Sequence, residues 1–535
     1  MIGYLTPRQQ QHAARRAPAV RALPGDPDAD VTARIFVPGR RLGEVLRESE
    51  VSDQRGGLGR IVSGIVCDSR CVEPGNIYFD LPGAASDGGH SVAEAISRGA
   101  SAVVCTRLPI VPQPRVTFVR VGDIFSVQAA VARRFFGEPD REVALVAVTG
   151  AAGKTSVAHL AHRLLGGEGR VGLIGDIAFD LGRRTVPAFR GPPDAVDVFG
   201  MLAQMRTAGC REAVLEVGSA ALARQNLRGA ALRVAVFTGG AAAAHSVSPA
   251  QADGATAMRR LFTGQVAAIP RTSVVNLDDP AGVQLAEHLV RHVAETRLVT
   301  YGEHAKALVR AENIDVSGRG ATFRLVWPEG TVDVASPLLG RAHVSNLLAA
   351  VAAAWSLGRD PRAALGGLAR FGGVRGRLER IEAGQEFEVV IDSAADPAAL
   401  RRAVAELRVV TAGRVFVVFG CDGEGDRALR PAMTAAAQAN ADFAFATADN
   451  PRGEAVEKIF ADMRAGITAP GRIAWIEDRR RALALALGFA RAGDAVLVAG
   501  KGHESFQELS GRVVPFDDRQ VARELLARAA PNAQG

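Results

Sequence analysis

The residues best suited to chemistry lie in the run Thr149-Gly150-Ala151-Ala152-Gly153-Lys154-Thr155-Ser156. Before it stands VALVAV at 143–148, a continuous apolar β-branched run of strand length, and after it a helical stretch from Lys154 to about Leu165. A glycine-bounded turn between a strand and a helix aims backbone N–H groups and the positive end of the helix at a phosphate. In such a P-loop Gly150 and Gly153 permit close approach and Lys154 reaches the terminal phosphates. Thr155 offers a hydroxyl to Mg²⁺, and Ser156, next in the run, is expected with Gly150, Gly153, Lys154 and Thr155 among the cofactor contacts. The spacing is shorter than the general Walker pattern, since Gly150 lies only four residues before Lys154. A plain glycine turn in a βα unit is the alternative.

The elements that must position this loop follow from length and pattern. At 535 residues the chain exceeds one core, and domains of roughly 100–200 residues imply about three. Apolar content of 48% with alternating strand-like and helix-like runs indicates an α/β protein. The +7 balance is spread along the chain, without the basic stripe that nucleic-acid binding needs. Cys67, Cys71, Cys105, Cys210 and Cys421 are irregularly spaced with no C-x-x-C, which argues for a reducing compartment and against a zinc site. No apolar run reaches the roughly 18 residues of a membrane span. A cytoplasmic protein is expected.

Residues 1–32 are Arg-rich and acid-poor before Asp26 and read as a disordered extension, with a transit peptide as the alternative. A first domain is expected over 33–140. There Ser69 and Arg70, just after a strand, could clamp a phosphate or sugar, or Arg70 could simply close a surface turn. Strand-like runs at 415–420, 443–447 and 494–499 end in polar or glycine-containing turns, where open parallel sheets bind ligands. The glycine-rich 371–379 suits a hinge.

Taken together, the motifs resemble the Mur ligases, and among them the MurE type. They are DSR-x-V-x-PG from Asp68 to Gly75, Asp87-Gly88-Gly89-His90, the TG-x-x-GKTS loop, Leu215-Glu216-Val217, and Asn276-Leu277-Asp278-Asp279-Pro280. Further on come Gly376-Arg377-Leu378-Glu379, Asp449-Asn450-Pro451-Arg452 and Gly500-Lys501-Gly502-His503-Glu504. The resemblance implies three domains: 33–140 for the UDP end of the substrate, 141–372 for ATP, and a Rossmann-like 373–535 for an amino acid. It also implies that ATP phosphorylates a carboxylate on a UDP-N-acetylmuramoyl-peptide and that an amine of meso-diaminopimelate attacks the acyl phosphate. Lys154 and Glu216 then become catalytic, with Thr155 and Glu216 on Mg²⁺ and Arg377 on the nucleotide side. Ser69, Arg70, Asp449, Asn450, Arg452, Gly500 and Glu504 become substrate contacts. Arg452 has the geometry to fork a carboxylate and Glu504 the charge to hold an ammonium. Two plainer readings stand beside this: Glu216 as a solvated strand-end carboxylate, and DNPR as a turn capping the next helix.

Several positions depart from that pattern. Where the resemblance implies Asn, Asp and a metal-binding His after Thr238, the chain has Gly239, Ala243 and Ala244, with His245 one place late. A one-residue shift on a regular element redirects the side chain. Met258 stands where a carbamylated lysine is implied, and a thioether is a poor Mg²⁺ ligand. Ala220, Gly191-Pro192 and Ser393, Ala395 and Ala398 likewise stand where the resemblance implies other polar groups. At ~1–3 kcal/mol each, such losses slow turnover by orders of magnitude. The expectation is a monomeric ATP-dependent ligase acting on small molecules. The alternative is an impaired relative that binds nucleotide or amino acid as a scaffold beside a protein partner.

Overall fold

A computed structural model describes residues 38–47, 49, 51–82, 90–109, 113–188, 192–240 and 256–529. The extension 1–32, Gly191, His245 and Ala243-Ala244 lie outside the described residues. The fold is α/β with the three-part architecture of a sheet-based N-terminal part, a central part around the phosphate loop and a Rossmann-like C-terminal part. The chain divides into two compact units, Met1–Val309 with Ala349–Ala364, and Arg310–Leu348 with Leu365–Gly535.

In the first unit, β1 (Val51–Arg55), β2 (Gly64–Val66), β3 (Asn76–Phe79), β4 (Ala102–Cys105) and β5 (Thr117–Val121) form a sheet of order β1-β5-β4-β3-β2. The central strands are β6 (Ala144–Thr149), β7 (Val171–Ile174), β10 (Glu212–Glu216), β11 (Leu232–Phe237), β12 (Thr272–Asn276) and β13 (Arg297–Gly302), all mutually parallel. The hairpin β8 (Ala178–Asp180) and β9 (Thr185–Pro187) joins antiparallel at one edge, giving the order β9-β8-β7-β10-β6-β11-β12-β13. Strand β6 is covered on both faces, and Leu145, Val146, Ala147 and Val148 are fully buried. That is why it reads as an unbroken apolar run rather than an alternating one.

Helix α3 (Lys154–Leu165) follows β6, burying Val157, Ala158, Leu160, Ala161 and Leu164 and stopping at Gly166. Helix α4 (Ala195–Ala208) begins with a capping box built from two acids. Asp194 accepts from the Asp197 N–H at 3.0 Å, and Asp197 accepts from the Asp194 N–H at 3.2 Å. The last helix of the parallel portion, α5 (Pro280–His292), is capped by Asp279.

The second unit contains a six-stranded sheet ordered β17-β18-β22-β19-β20-β21. Its members are β17 (Glu379–Arg380), β18 (Glu388–Asp392), β19 (Val415–Phe419), β20 (Phe443–Ala446), β21 (Ile473–Trp475) and β22 (Ala495–Ala499), parallel except for β17. Strand alternation splits the core: Val415, Val417 and Phe419 join one apolar cluster, while Phe416 and Val418 join the other. Helices α11 (Arg479–Phe489) and α12 (Asp518–Ala529) cover the second face. Fully buried Arg479 ties them together by donating to both oxygens of Asp518 at 2.8 and 2.7 Å and to the Ala499 carbonyl at 3.0 Å. The expected hinge, 371–379, lies inside this unit. Its backbone is fastened there by Leu378 N–H to Asp392 and Gly376 N–H to Glu379, both 2.8 Å.

The α4 capping box carries a pH signature. Burial, then the charge of Asp194, push the Asp197 carboxyl up to about 7. A carboxyl whose folded pKa exceeds its unfolded value of about 3.9 favours the folded state when protonated. Stability contributed here is therefore lost as pH rises through the window from about 4 to about 7. Asp197→Asn keeps the acceptor and removes the titration. Urea denaturation should show the variant more stable than wild type by on the order of 1–3 kcal/mol at about pH 8, with the two converging near about pH 4.

Candidate functional site

The phosphate loop sits where β6, β10 and β11 deliver their carboxyl ends side by side. Glu216 pairs in register with Val148, and Phe237 with Thr149. Gly153, in the left-handed region at φ 82°, occupies the N-cap of α3 and offers no side chain to cap it. Helix-start N–H groups lack intrahelical partners, so an uncapped start is a receptor for an anion. Lys154 Nζ donates to the Gly150 carbonyl at 3.0 Å, holding the ammonium over the loop.

Thr155 and Glu216 meet directly. The Thr155 hydroxyl donates to Glu216 Oε1 at 2.6 Å, and Glu216 Oε2 accepts the Asp176 N–H at 3.1 Å. Burial, then the charge of Asp176, push the Glu216 carboxyl up to about 7, against the pull of Thr155 and Lys154. The strand-end carboxylate is thus not simply solvated. A hydroxyl and a carboxylate are the hard oxygen donors that Mg²⁺ takes, and a cation beside them would favour the ionised form of Glu216. The residues present fit Mg²⁺ and a nucleotide phosphate. Among the described residues no cluster of three or more His, Cys, Asp or Glu side chains forms a closed metal cage.

The segment after β11 closes the loop's far side. The Thr238 hydroxyl donates to the Ala152 carbonyl at 2.5 Å, and the Ala151 N–H donates to the Gly239 carbonyl at 2.9 Å. Asp279 Oδ1 accepts the Gly240 N–H at 3.1 Å as well as the Ala281 and Gly282 N–H groups that start α5. Asp278 accepts the backbone N–H groups of Glu303 and His304. The NLDDP motif is therefore a structural clamp on this loop. Met258 is buried in the apolar core that also holds Phe237, Leu261 and Phe262. Ser156 is buried in the first turn of α3.

In the N-terminal part, buried Ser69 donates to Glu94 at 2.7 Å. Arg70 folds back on Asp68, donating to both of its oxygens, and remains exposed. The structure thus shows Arg70 closing a turn. Its charge faces solvent on one side, and no anion cradle is formed by this pair alone.

In the second unit the carboxyl ends of β18, β19, β20 and β22 gather a different set. Asn450 Nδ2 donates to Glu504 at 3.0 Å, and its Oδ1 accepts from Lys501 Nζ at 2.9 Å. Lys501, almost wholly buried, also donates to Glu504 at 2.6 Å and lies 3.5 Å from Asp449. Burial pushes Glu504 upward, but the Lys501 ammonium and the Asn450 amide together hold it below its ordinary value. Burial pushes Asp449 up to about 6 against Arg479 and Lys501. Gly500 is required here, because a Cβ would fall 2.2 Å from Asp449 Oδ2. Arg452 takes a left-handed backbone at φ 54°, with its N–H on the Glu508 carbonyl and its carbonyl accepting from Gly511. Its half-exposed guanidinium lies 3.3 Å from Asp422 and 3.5 Å from Glu508. Non-glycine residues in this region concentrate at functional sites.

The capping reading of DNPR does not hold. The following helix, Val456–Arg464, has Ala455 at its N-cap and no side-chain cap. Glu454 is drawn onto buried Arg430 at 2.9 and 2.7 Å, which anchors the turn. Arg377 lies in this unit too: its Nη1 donates to the Gly376 carbonyl at 3.1 Å, and His343 Nε2 lies 3.2 Å from its own carbonyl. Sequence reading missed Asp176, Thr238, Asp422 and Lys501. The first three directly follow strands or strand exits, which was a usable signal. Nothing in the pattern showed that Lys501 points inward.

Known proteins resemble this chain in sequence and fold. The Mur ligase middle domain matches residues 148–354, and the Mur ligase glutamate ligase domain matches 376–502. A UDP-N-acetylmuramoyl-L-alanyl-D-glutamate–2,6-diaminopimelate ligase of Gloeobacter violaceus is 36% identical over 92% of this chain and 99% of its own length. The Streptomyces coelicolor enzyme of the same name is 36% identical over 87% and 93%. A solved structure of such a ligase superposes with TM-score 0.64 at 30% identity, covering 92% of this chain and 99% of that one. The ADP complex of a MurF ligase from Thermotoga maritima shares the fold, with TM-score 0.57 at 17% identity over 87% of this chain and 97% of that one.

Gly150 tests the loop. Its φ is 147°, and an added Cβ would lie 2.0 Å from Thr238 Oγ1. Strain of about 1–3 kcal/mol distributed over the loop should weaken ADP binding in Gly150→Ala by roughly tenfold to a hundredfold, read by titration calorimetry. Unchanged affinity would show that nucleotide phosphate is not held here.

Proposed function

The chain belongs to the Mur ligase family, and from that premise we propose that it is an ATP-dependent ligase joining meso-diaminopimelate to the D-glutamyl carboxylate of UDP-N-acetylmuramoyl-L-alanyl-D-glutamate. The observation carrying this reading is the pairing of 36% identity across nearly the whole chain with a formed phosphate loop facing Thr155 and Glu216. In this reading the substrates are small molecules of the cytoplasm and the product is a peptidoglycan precursor.

When bound, ATP with Mg²⁺ supplies the phosphoryl group that converts the carboxylate into an acyl phosphate open to attack by an amine. The protein's share is positioning and charge stabilisation. The N–H groups at the start of α3 receive phosphate oxygens, and Lys154 swings from the Gly150 carbonyl to neutralise them. Thr155 and Glu216 orient the cation. At the amino-acid end, Arg452 grips a carboxylate, while Glu504, oriented by Asn450 and Lys501, faces an ammonium. Asp449 packs against Gly500 behind them.

The reading includes a reduced metal site. Burial of Met258 among apolar side chains supports a cation held by Thr155 and Glu216 and otherwise by water, which Mg²⁺ retains readily. Catalysis slower than that of a ligase with a full ligand set follows. Arg377, Ser69 and Arg70 are proposed as peripheral contacts to nucleotide and sugar-phosphate groups.

Purified protein should release phosphate from ATP only when both UDP-N-acetylmuramoyl-dipeptide and meso-diaminopimelate are present. Release independent of either, or ATP binding without turnover, overturns the ligase reading. Lys154→Ala should abolish the release. Arg452→Ala, losing a charge-assisted hydrogen bond of about 1.5–3 kcal/mol, should raise KM for meso-diaminopimelate roughly tenfold to a hundredfold while leaving KM for ATP unchanged.

A further inference from the structure

At the opposite end of the central strands from the phosphate loop, the first unit holds a cavity of about 640 Å³. Its wall includes Leu164 and Leu165 from the end of α3, together with Arg170, Arg211, Glu212 and Arg359. Arg170 immediately precedes β7 and Arg211 immediately precedes β10. These strands are neighbours, with Val171 paired to Glu212, so the two arginines stand side by side at the amino-terminal edge of the sheet. Arg359 is neutralised, since its Nη2 donates to both oxygens of Glu212 at 2.9 Å. Among the described residues, no carboxylate lies within ion-pair distance of Arg170 or Arg211, and both are exposed. Asp360, also in the wall, is engaged in accepting the Arg362 N–H.

From this geometry we propose a separate anion site that takes a small phosphate ester or pyrophosphate-bearing molecule, with Arg170 and Arg211 as its forks. Planar guanidiniums pair with phosphate oxygens two at a time, and the volume falls within the roughly 300–1,000 Å³ of small-molecule sites. The apolar floor from Leu164 and Leu165 would carry the non-phosphate portion. The site also lies at the far ends of two elements that reach the phosphate loop: α3 starts in it at Lys154 and runs to Leu165, and β10 runs from Glu212 to Glu216, which accepts from Thr155. It does not depend on the proposed ligase activity.

Pyrophosphate is titrated into the full chain carrying Lys154→Ala, which weakens the phosphate loop as a competing receptor. The same titration is made with Arg170→Ala and Arg211→Ala added. The expected result is binding to the first protein and affinity at least about tenfold lower in the second. Absence of binding to the first, or equal affinity in both, overturns the proposal. Arg211→Gln alone, expected to weaken binding about threefold or more, decides the matter if the combined variant does not fold.

Discussion

The central constraint is a helix start left open above the carboxyl edge of a parallel sheet. Gly153 supplies no side chain to the first N–H groups of α3, and the backbone there must find an acceptor in solvent or ligand. The surrounding construction follows from keeping that end in place. Strand β6 is buried on both faces so that it cannot shift, β10 brings Glu216 beside Thr155, and β11 brings Thr238 and Gly239 against the turn. Asp279 then ties that segment to a neighbouring helix start.

Charge is handled differently in the two units. Near the phosphate loop, Glu216 is pushed upward by burial and by Asp176, so its ionised form is under-compensated and suited to a cation from outside. In the second unit the compensation is internal. Buried Lys501 serves Glu504 and Asn450, and buried Arg430 serves Glu454 and Asp462. Removing one partner of such a buried pair leaves the other uncompensated, which is the costly case. These fixed ions hold the turn in which Arg452 keeps its left-handed backbone and its half-exposed guanidinium.

The long apolar strands and the phosphate loop were readable because their signals are local. A doubly covered strand needs a continuous apolar run, and a helix that receives phosphate needs glycine before it. Local pattern was less informative where side chains choose between partners. Arg70 has the same sequence context whether or not it closes on Asp68, and only the fold shows that contact. DNPR resembles a cap by composition, yet Asn450 turns toward Glu504 and Lys501, which lie 54 and 51 residues away. Asp176 stood after a strand and passed unnoticed because its effect on Glu216 crosses between two strands.

By itself the sequence determined the α/β class, the strand–turn–helix around Gly150 to Thr155 and the identity of the groups available for phosphate and carboxylate. Those properties reside in residue type and short-range spacing. Tertiary structure decided which charges are satisfied internally and which are left for a ligand: Glu454 on Arg430, Arg359 on Glu212, and Arg170 and Arg211 without a carboxylate partner among the described residues. The physical reason is that hydrogen bonds and ion pairs act over a few ångströms in space. The partners that answer each charge are brought together by strand order and helix packing, not by their separation along the chain.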